Sequence, residues 1–595
     1  MFLVKNRYWK FRKIVSYEII KYKILYGMNL ENILKKVLLV GIFAIPLVVP
    51  FLVFNEMFFP FITGKNFFFR IVVELLLGSW VVLALLNREY LPKRSLLLGI
   101  TVAFVAIIGL ADFFGVEPFK SFWSNFERME GFVGLLHVFA YFFLVVSFLH
   151  TEKLWTRFFQ ATLFASVLVG IYGFFQLAGI FEIHQGNSRV DGTFGNAAYL
   201  AVYTLFHIFI GAVFLSRNWR EKLWRYIYGG VIALNLVILY LTATRGSILG
   251  LIGGVFVTTI LIAVFEHENK KLRKVAIGTL VGVVVLIGGF LSAKNTSFVE
   301  NSPVLSRFAN ISLQEQTTKS RFMIWGMAIE GFKERPILGW GQENFNYVFN
   351  KYYNPNMYGQ EPWFDRAHNI FFDWLIAGGV LGLASYLGIF VIALYLLWRK
   401  TELPLVEKSI FTGLFAAYFF QNLFVFDNLM SYILFFSILG YIHHASTDER
   451  EGFLKKFFAK FKKDPLPTKD VTTFIAPGVL IVTLFVVYLF NFKLIATNTA
   501  LLNAMQPQKE GPTKNLELFE KALAYETSGN IEVREQLGQI NTRISGLDGV
   551  DPAVSASFAQ KTEEELRKQV ELAPNNIRHL IFLGSFLSQV GRNEE

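Results

Sequence analysis

The sequence contains no cysteine. Disulfide frameworks, thiolate metal sites and cysteine nucleophiles are excluded together. Charge is also scarce: Asp, Glu, Lys and Arg make up 17% of the chain, against about 25% in an average soluble domain. With 54% hydrophobic residues, 65 of the 595 being Phe, that deficit rules out a disordered or fibrous chain and argues against an ordinary soluble one. The little charge present is biased, giving a formal net charge of +12. On so apolar a chain this excess points to basic loops facing a membrane surface, not to nucleic acid.

Long apolar runs are abundant. A spanning helix needs about 20 mostly apolar residues, and about thirteen such runs occur, near 33–54, 68–87, 95–114, 131–150, 155–180, 196–216, 223–243, 246–265, 274–292, 369–398, 406–426, 430–445 and 473–494. Several contain glycines, such as Gly250, Gly253 and Gly254, or Gly378, Gly379 and Gly382, as expected where helices approach closely in lipid. The stretch Met1 to Lys36 is too long and too charged for a signal-peptide n-region, so the first run is expected to be a retained helix. The chain is therefore expected to be an all-α polytopic membrane protein.

Basic residues set the orientation. The N-terminal arm (residues 1–32) carries Lys5, Arg7, Lys10, Arg12, Lys13, Lys21 and Lys23. Placing it in the cytoplasm and alternating sides puts Arg88, Lys93 and Arg94, then Lys270, Lys271, Arg273 and Lys274, then the Lys455–Lys463 cluster, on that same side. The outer connections carry single basic residues. A membrane domain is expected over 33–495, with a long outer loop at about 293–368. Long loops of this kind usually carry function. The tail, 496–595, is polar and helix-periodic, and Glu571-Leu572-Ala573-Pro574-Asn575-Asn576 resembles the helix end and turn of a tetratricopeptide-like repeat. An odd number of spans places this tail outside.

Four outer elements stand out: Arg189-Val190-Asp191-Gly192-Thr193-Phe194-Gly195-Asn196; Thr242-Ala243-Thr244-Arg245-Gly246-Ser247; Ser320-Arg321 with Trp325 and Pro336-Ile337-Leu338-Gly339-Trp340-Gly341; and Arg366-Ala367-His368-Asn369 with Asp373. Taken singly, each has a plainer explanation. Arg189 or Arg245 would be a snorkelling anchor, Arg321 a solvated loop residue, and His368 a packing residue. Together they fall on one side of one topology, at junctions able to converge. Arginine forks suit phosphate, and histidine is the natural proton acceptor near neutral pH. Asn369 and Asp373 are expected to orient the imidazole. The loop aromatics Trp340, Tyr352, Tyr353 and Trp363 are candidates for stacking on sugars, with packing inside the loop the commoner fate. Polar residues within the spans (Glu74, His137, Gln176, His207, Asn235) are scattered, without the two-half symmetry of a transporter or flippase. A scaffold built around the tail would leave the arginine–histidine set unexplained.

The ordered set Thr-x-Thr-Arg-Gly-Ser, Ser-Arg with Trp four residues later, Pro-Ile-Leu-Gly-Trp-Gly, and His-Asn-x-Phe-Phe followed by Gly-Gly-Val-Leu-Gly resembles the O-antigen ligase and polymerase superfamily. Arg189–Asn196 fits it, as does Arg128-Met129-Glu130-Gly131 less specifically, so the resemblance covers about 120–400. Thr244 stands where members often have Ser. The resemblance implies a GT-C type glycosyltransferase of the bacterial cytoplasmic membrane. Such an enzyme moves a glycan from a polyprenyl diphosphate to a hydroxyl of a lipid, glycan or protein acceptor, with inversion, without a metal and without a cofactor. On that chemistry His368 and Arg245 are expected to be catalytic residues, and Arg189, Arg321, Asn369 and Asp373 substrate-binding ones. O-antigen-type polymerase and protein O-oligosaccharyltransferase are equally close, and the tail could hold a protein partner.

Overall fold

The computed structural model describes residues 30–592 apart from 186–188, 313–314, 360–362, 447–465 and 548. The basic arm from Lys5 to Lys23 and the Lys455–Lys463 cluster lie outside the described residues. Among those described, every regular element is helical, as lipid demands of a chain that must satisfy its own backbone within each span. The long apolar helices are α1 (Leu30–Val48), α2 (Thr63–Leu86), α3 (Leu96–Phe113), α4 (Phe132–Phe148), α5 (Glu152–Leu177), α6 (Ala197–Arg217), α7 (Lys222–Leu241), α8 (Arg245–Phe265) and α9 (Lys270–Ala293). Beyond the long loop and its helix α10 (Gln316–Glu334) come α11 (Ile370–Arg399), α12 (Leu405–Asn422), α13 (Leu429–Ser446) and α14 (Thr468–Met505).

Each of the expected apolar runs is a helix, but only eleven are long and apolar enough to cross a membrane. The two that differ are α4, short at 17 residues, and α12, whose first turn carries Glu407 and Lys408. Both pack inside the bundle, so full lipid exposure is not asked of them. In α12, Gly413 and Ala417 let α8 approach until Cβ atoms at Gly254 and Gly250 would lie 2.5 and 2.7 Å from their carbonyl oxygens. By contrast, α9 is almost wholly exposed, with only Ala276 buried, and its apolar surface is what a lipid-facing helix presents.

The connections sort onto two faces. On one, short links are tied by Asn87 donating to Glu31, by Ser95 against His443, and by Arg217 against Glu152 and Glu407. On the other, the longer described segments converge. Val116 N donates to Trp340 O, Val190 N to Leu241 O, and Lys65 Nζ to Thr193 O. The tail helices α15 (Pro512–Leu523), α16 (Asn530–Ser545), α17 (Pro552–Leu572) and α18 (Ile577–Gln589) rest on this loop face. There Phe58 N donates to Asn498 and Phe126 N to Glu532. Leu501 and Ala504, at the end of α14, are part of the tail's own core with Phe519, Val533 and Phe558. The last membrane helix thus runs into the tail without a linker.

One helix is broken where it meets the loop. At Gly379, α11 leaves helical geometry (φ 62°, ψ −158°). The freed groups pair with the Pro336–Gly341 segment. Ile376 O and Ala377 O accept from Trp340 N and Gly341 N, while Val380 N donates to Pro336 O and Leu381 N to Ile337 O. Irregular backbone at this depth is tolerated only when protein satisfies it. Close approach requires glycine on both sides: a Cβ at Gly339 would lie 2.2 Å from Ile376 O, and one at Gly379 2.3 Å from Ile337 O. The Gly-Trp-Gly and Gly-Gly motifs are therefore two halves of one backbone exchange. Gly379→Ala is expected to destabilise the protein by about 2–5 kcal/mol, combining overpacking with left-handed strain. Gly278→Ala, a position with open space around it, should leave the unfolding midpoint in detergent unchanged. Equal midpoints for both variants would contradict the exchange as a stability determinant.

Candidate active site

Five elements enclose a cavity of about 450 Å³ on the loop face. They are the loop before α6 together with its first turn (Arg189, Asn196, Tyr199), the start of α8 (Thr244, Arg245), the segment from Arg307 to Arg321, His368 just before α11, and Phe424–Phe426 after α12. Arg189, Arg245, Arg321 and His368 are thus brought together in one space. A fourth arginine, Arg307, joins them. Its only sequence signal is a Ser-Arg-Phe triplet at 306–308 repeated at 320–322.

Each arginine is placed by local structure. Ala243 turns the chain at φ 49°, so that Thr244 ends the link and Arg245 opens α8. A cation at a helix N-terminus opposes the helix dipole. That cost is offset where an anion is shared between the arginine and the helix end. Here Arg245 is held by Glu315 through two hydrogen bonds of 2.6 and 2.7 Å, and this contact lowers the Glu315 carboxyl. Arg189 donates to Thr242 O at 3.0 Å and to Thr244 Oγ1 at 3.1 Å. Burial, with Arg307 and Arg245 nearby, brings Arg189 down to about 10. Arg321 lies over the Phe424 ring at 5.6 Å and is also lowered, by burial and then by Arg245. Among the described residues Arg189, Arg307 and Arg321 form no ion pair, so Glu315 is the one carboxylate set against four cations.

His368 sits on an over-determined turn. Its own φ is 51°, a conformation costing about 1–2 kcal/mol for a residue with a Cβ. Every neighbour is pinned. Asp365 is gripped by Arg128, and Arg366 by Glu130 and Glu343. Ala367 N donates to Asp373 Oδ1, and Ala367 O accepts from Trp325 Nε1. The imidazole lies 5.5 Å from each of the Phe364 and Phe426 rings. Burial, followed by the charge of Arg321, pushes it down to about 4, so the ring is neutral at physiological pH. Beneath the turn, burial pushes the Glu130 carboxyl up to about 8 even beside Arg366.

Two expected substrate contacts are placed otherwise. Asn369 and Asp373 do not line the cavity, and neither orients the imidazole, whose nitrogens make no hydrogen bond among the described residues. Asn369 is the N-cap of α11 and accepts from Phe371 N and Phe372 N. Asp373, one turn on, folds back to Ala367 N. Helix starts supply orphan N–H groups that consume short polar side chains. Trp340 is buried, with its indole N–H on Gly331 O. Tyr352 and Tyr353 pack against the loop's own core. Trp363 carries the Arg578 guanidinium of the tail at 5.2 Å.

Residues 230–387 match the family model described as O-antigen ligase. That segment holds Arg245, Arg307, Arg321, His368 and the backbone exchange at Gly379, while Arg189 and Arg128 lie outside it. No curated protein matches the chain. Through this segment, about a quarter of the chain, the protein is similar to the O-antigen ligase family, and its many apolar helices suit a multi-pass membrane protein of that kind.

Proposed function

We propose that the protein transfers an oligo- or polysaccharide from a polyprenyl diphosphate donor to an acceptor hydroxyl on the outer side of the bacterial cytoplasmic membrane. The observation that carries this is the convergence of four arginines and one neutral histidine on a single cavity. The loop face is then the outer face, with the N-terminus in the cytoplasm and the tail outside.

The chemistry follows from the charges. Arg189, Arg245, Arg307 and Arg321 hold the diphosphate and stabilise the charge that grows on it as the glycosidic C–O bond breaks. His368 accepts the proton of the acceptor hydroxyl as its oxygen attacks the anomeric carbon from the opposite side, which inverts that centre. With the cavity empty, burial and then the Arg321 charge keep His368 a weak base. A diphosphate bound against Arg321 offsets that one charge, raising the basicity of the imidazole when a base is needed. The charge stabilisation often supplied by a metal rests on the arginines, and no cofactor is required.

Transport is disfavoured by the fate of the polar residues in the spans. Glu74 is closed by His137 and Asn491, Asn235 by Ser166, and His207 Nδ1 by Tyr203 O. The acceptor class, whether lipid, glycan repeat or protein side chain, distinguishes ligase from polymerase and from protein transferase. The tail is the surface on which a protein partner would be held.

The test is transfer by the purified protein in proteoliposomes, supplied with a polyprenyl diphosphate oligosaccharide and candidate acceptors. The expected products are an inverted glycoside and free polyprenyl diphosphate, formed equally with and without EDTA. No transfer to any acceptor class would reject the proposal. In the same assay Glu315→Gln, which frees Arg245 for phosphate, should lower the donor KM by up to about fivefold, or about 1 kcal/mol. A raised KM would mean that Glu315 assists binding.

A further inference from the structure

A second arginine system lies behind the cavity and takes no part in the chemistry above. Arg128, in the loop before α4, grips Asp365 with both arms of its fork: Nε to Oδ2 at 2.9 Å and Nη2 to Oδ1 at 3.1 Å. Its guanidinium also lies over the Phe426 ring at 4.8 Å, and that ring is 5.5 Å from the imidazole. Arg128 therefore reaches His368 by two routes, through the residue three positions before it and through the ring beside it. It does not line the cavity itself.

We propose that Arg128 is a positioning residue, fixing the left-handed turn and the ring wall that aim His368 at the acceptor hydroxyl. This rests on His368 being the proton acceptor. A left-handed histidine is not held by its own preferences, so the aim of the ring depends on its neighbours. The planar fork matters because a bidentate pair fixes angle as well as distance, which a lysine ammonium does not.

The loop carrying Arg128 is braced in turn. Arg128 N and Met129 N bond to Asn125, Arg70 donates to Met129 O at 3.0 Å, and Glu532 of the tail accepts from Phe126 N at 2.6 Å. The tail thus stands at the far end of a continuous run of contacts that ends at His368.

The test uses the full-length protein in proteoliposomes, with Arg128→Gln, Arg128→Lys, Asp365→Asn and, as reference, His368→Ala. Turnover by Arg128→Gln is expected to fall about 10- to 100-fold, the scale of a misaimed catalytic group. Donor KM and donor binding should stay within about twofold of the wild type. The charged groups facing His368 are Arg321 from α10, Asp365 and Arg366 on its own turn, and Arg128. Losing the Arg128 cation should move the acid limb of kcat/KM to higher pH. Losing the Asp365 anion should move it to lower pH. Arg128→Lys should recover the position of the limb but not the turnover.

Wild-type turnover by Arg128→Gln alongside an inactive His368→Ala would overturn the positioning role alone. Full turnover by Arg128→Lys would do the same. Combined loss of donor binding, turnover and unfolding midpoint in Arg128→Gln would make the pair a general scaffold and also overturn it. An active His368→Ala would instead remove the base assignment on which the proposal stands.

Discussion

His368→Ala is expected to lower turnover by about 10²–10⁴-fold, the usual worth of a positioned general base, while donor binding stays within about twofold. The separation follows from the proposed roles, in which the four arginines hold the diphosphate and His368 contributes a neutral ring at the cavity wall. The pH dependence has a definite sign. His368 must be unprotonated to act, and burial with the neighbouring Arg321 brings it down to about 4. In kcat/KM, which reports the free enzyme, activity should be flat across neutral pH and be lost only as pH falls through about 4. In kcat, which reports the donor complex, the limb should lie at higher pH, because the bound diphosphate offsets the Arg321 charge. A limb in both parameters that survives in His368→Ala would assign the titration to another group.

Arg245→Ala is expected to reduce kcat/KM by about 10²–10³-fold, the cost of removing one preorganised charge-stabilising donor. Of the four arginines, Arg245 has the most to lose. It opens α8, so the guanidinium and the helix N-terminus address the same anion, and it already binds a carboxylate with two arms. Arg245→Lys should recover only part of the loss, since an ammonium cannot bridge two phosphate oxygens in one plane. Loss of Arg245 also frees Glu315 into a cavity built for anions, so Arg245→Ala with Glu315→Gln should be less impaired than Arg245→Ala alone. That comparison is made in kcat/KM, and an additive or worse double variant would show that the two side chains do not compete for one site.

The spans were evident in the sequence because the bilayer imposes length and hydropathy on each separately. The two that fell short, α4 and α12, do so through a short helix and a charged first turn. Arg189, Arg245, Arg321 and His368 stood out because charge in an apolar chain is conspicuous at helix ends. Arg307 did not, since an arginine within a polar loop carries no such contrast until the loop folds over the cavity. Asn369 and Asp373 lie off the cavity for a reason of the same kind. They adjoin His368 along the chain, but Asn369 is captured by the N–H groups of its own helix and Asp373 by Ala367 N. Trp340 takes the commoner of the two fates expected of the loop aromatics, packed with its indole N–H on Gly331 O. The exchange between Pro336–Gly341 and Gly379 was visible only as two glycine-rich motifs, because backbone pairing across about 40 residues leaves no periodicity to detect.

The central claim is that the arginine–histidine cavity is where the glycan changes partners. Its most direct test is single-turnover transfer from a purified polyprenyl diphosphate oligosaccharide, with donor binding measured separately, for the wild type, His368→Ala and Arg245→Ala. The account predicts retained binding with transfer slowed about 10²–10⁴-fold for His368→Ala, and weakened binding with weakened transfer for Arg245→Ala. Wild-type transfer rates in both variants would contradict it.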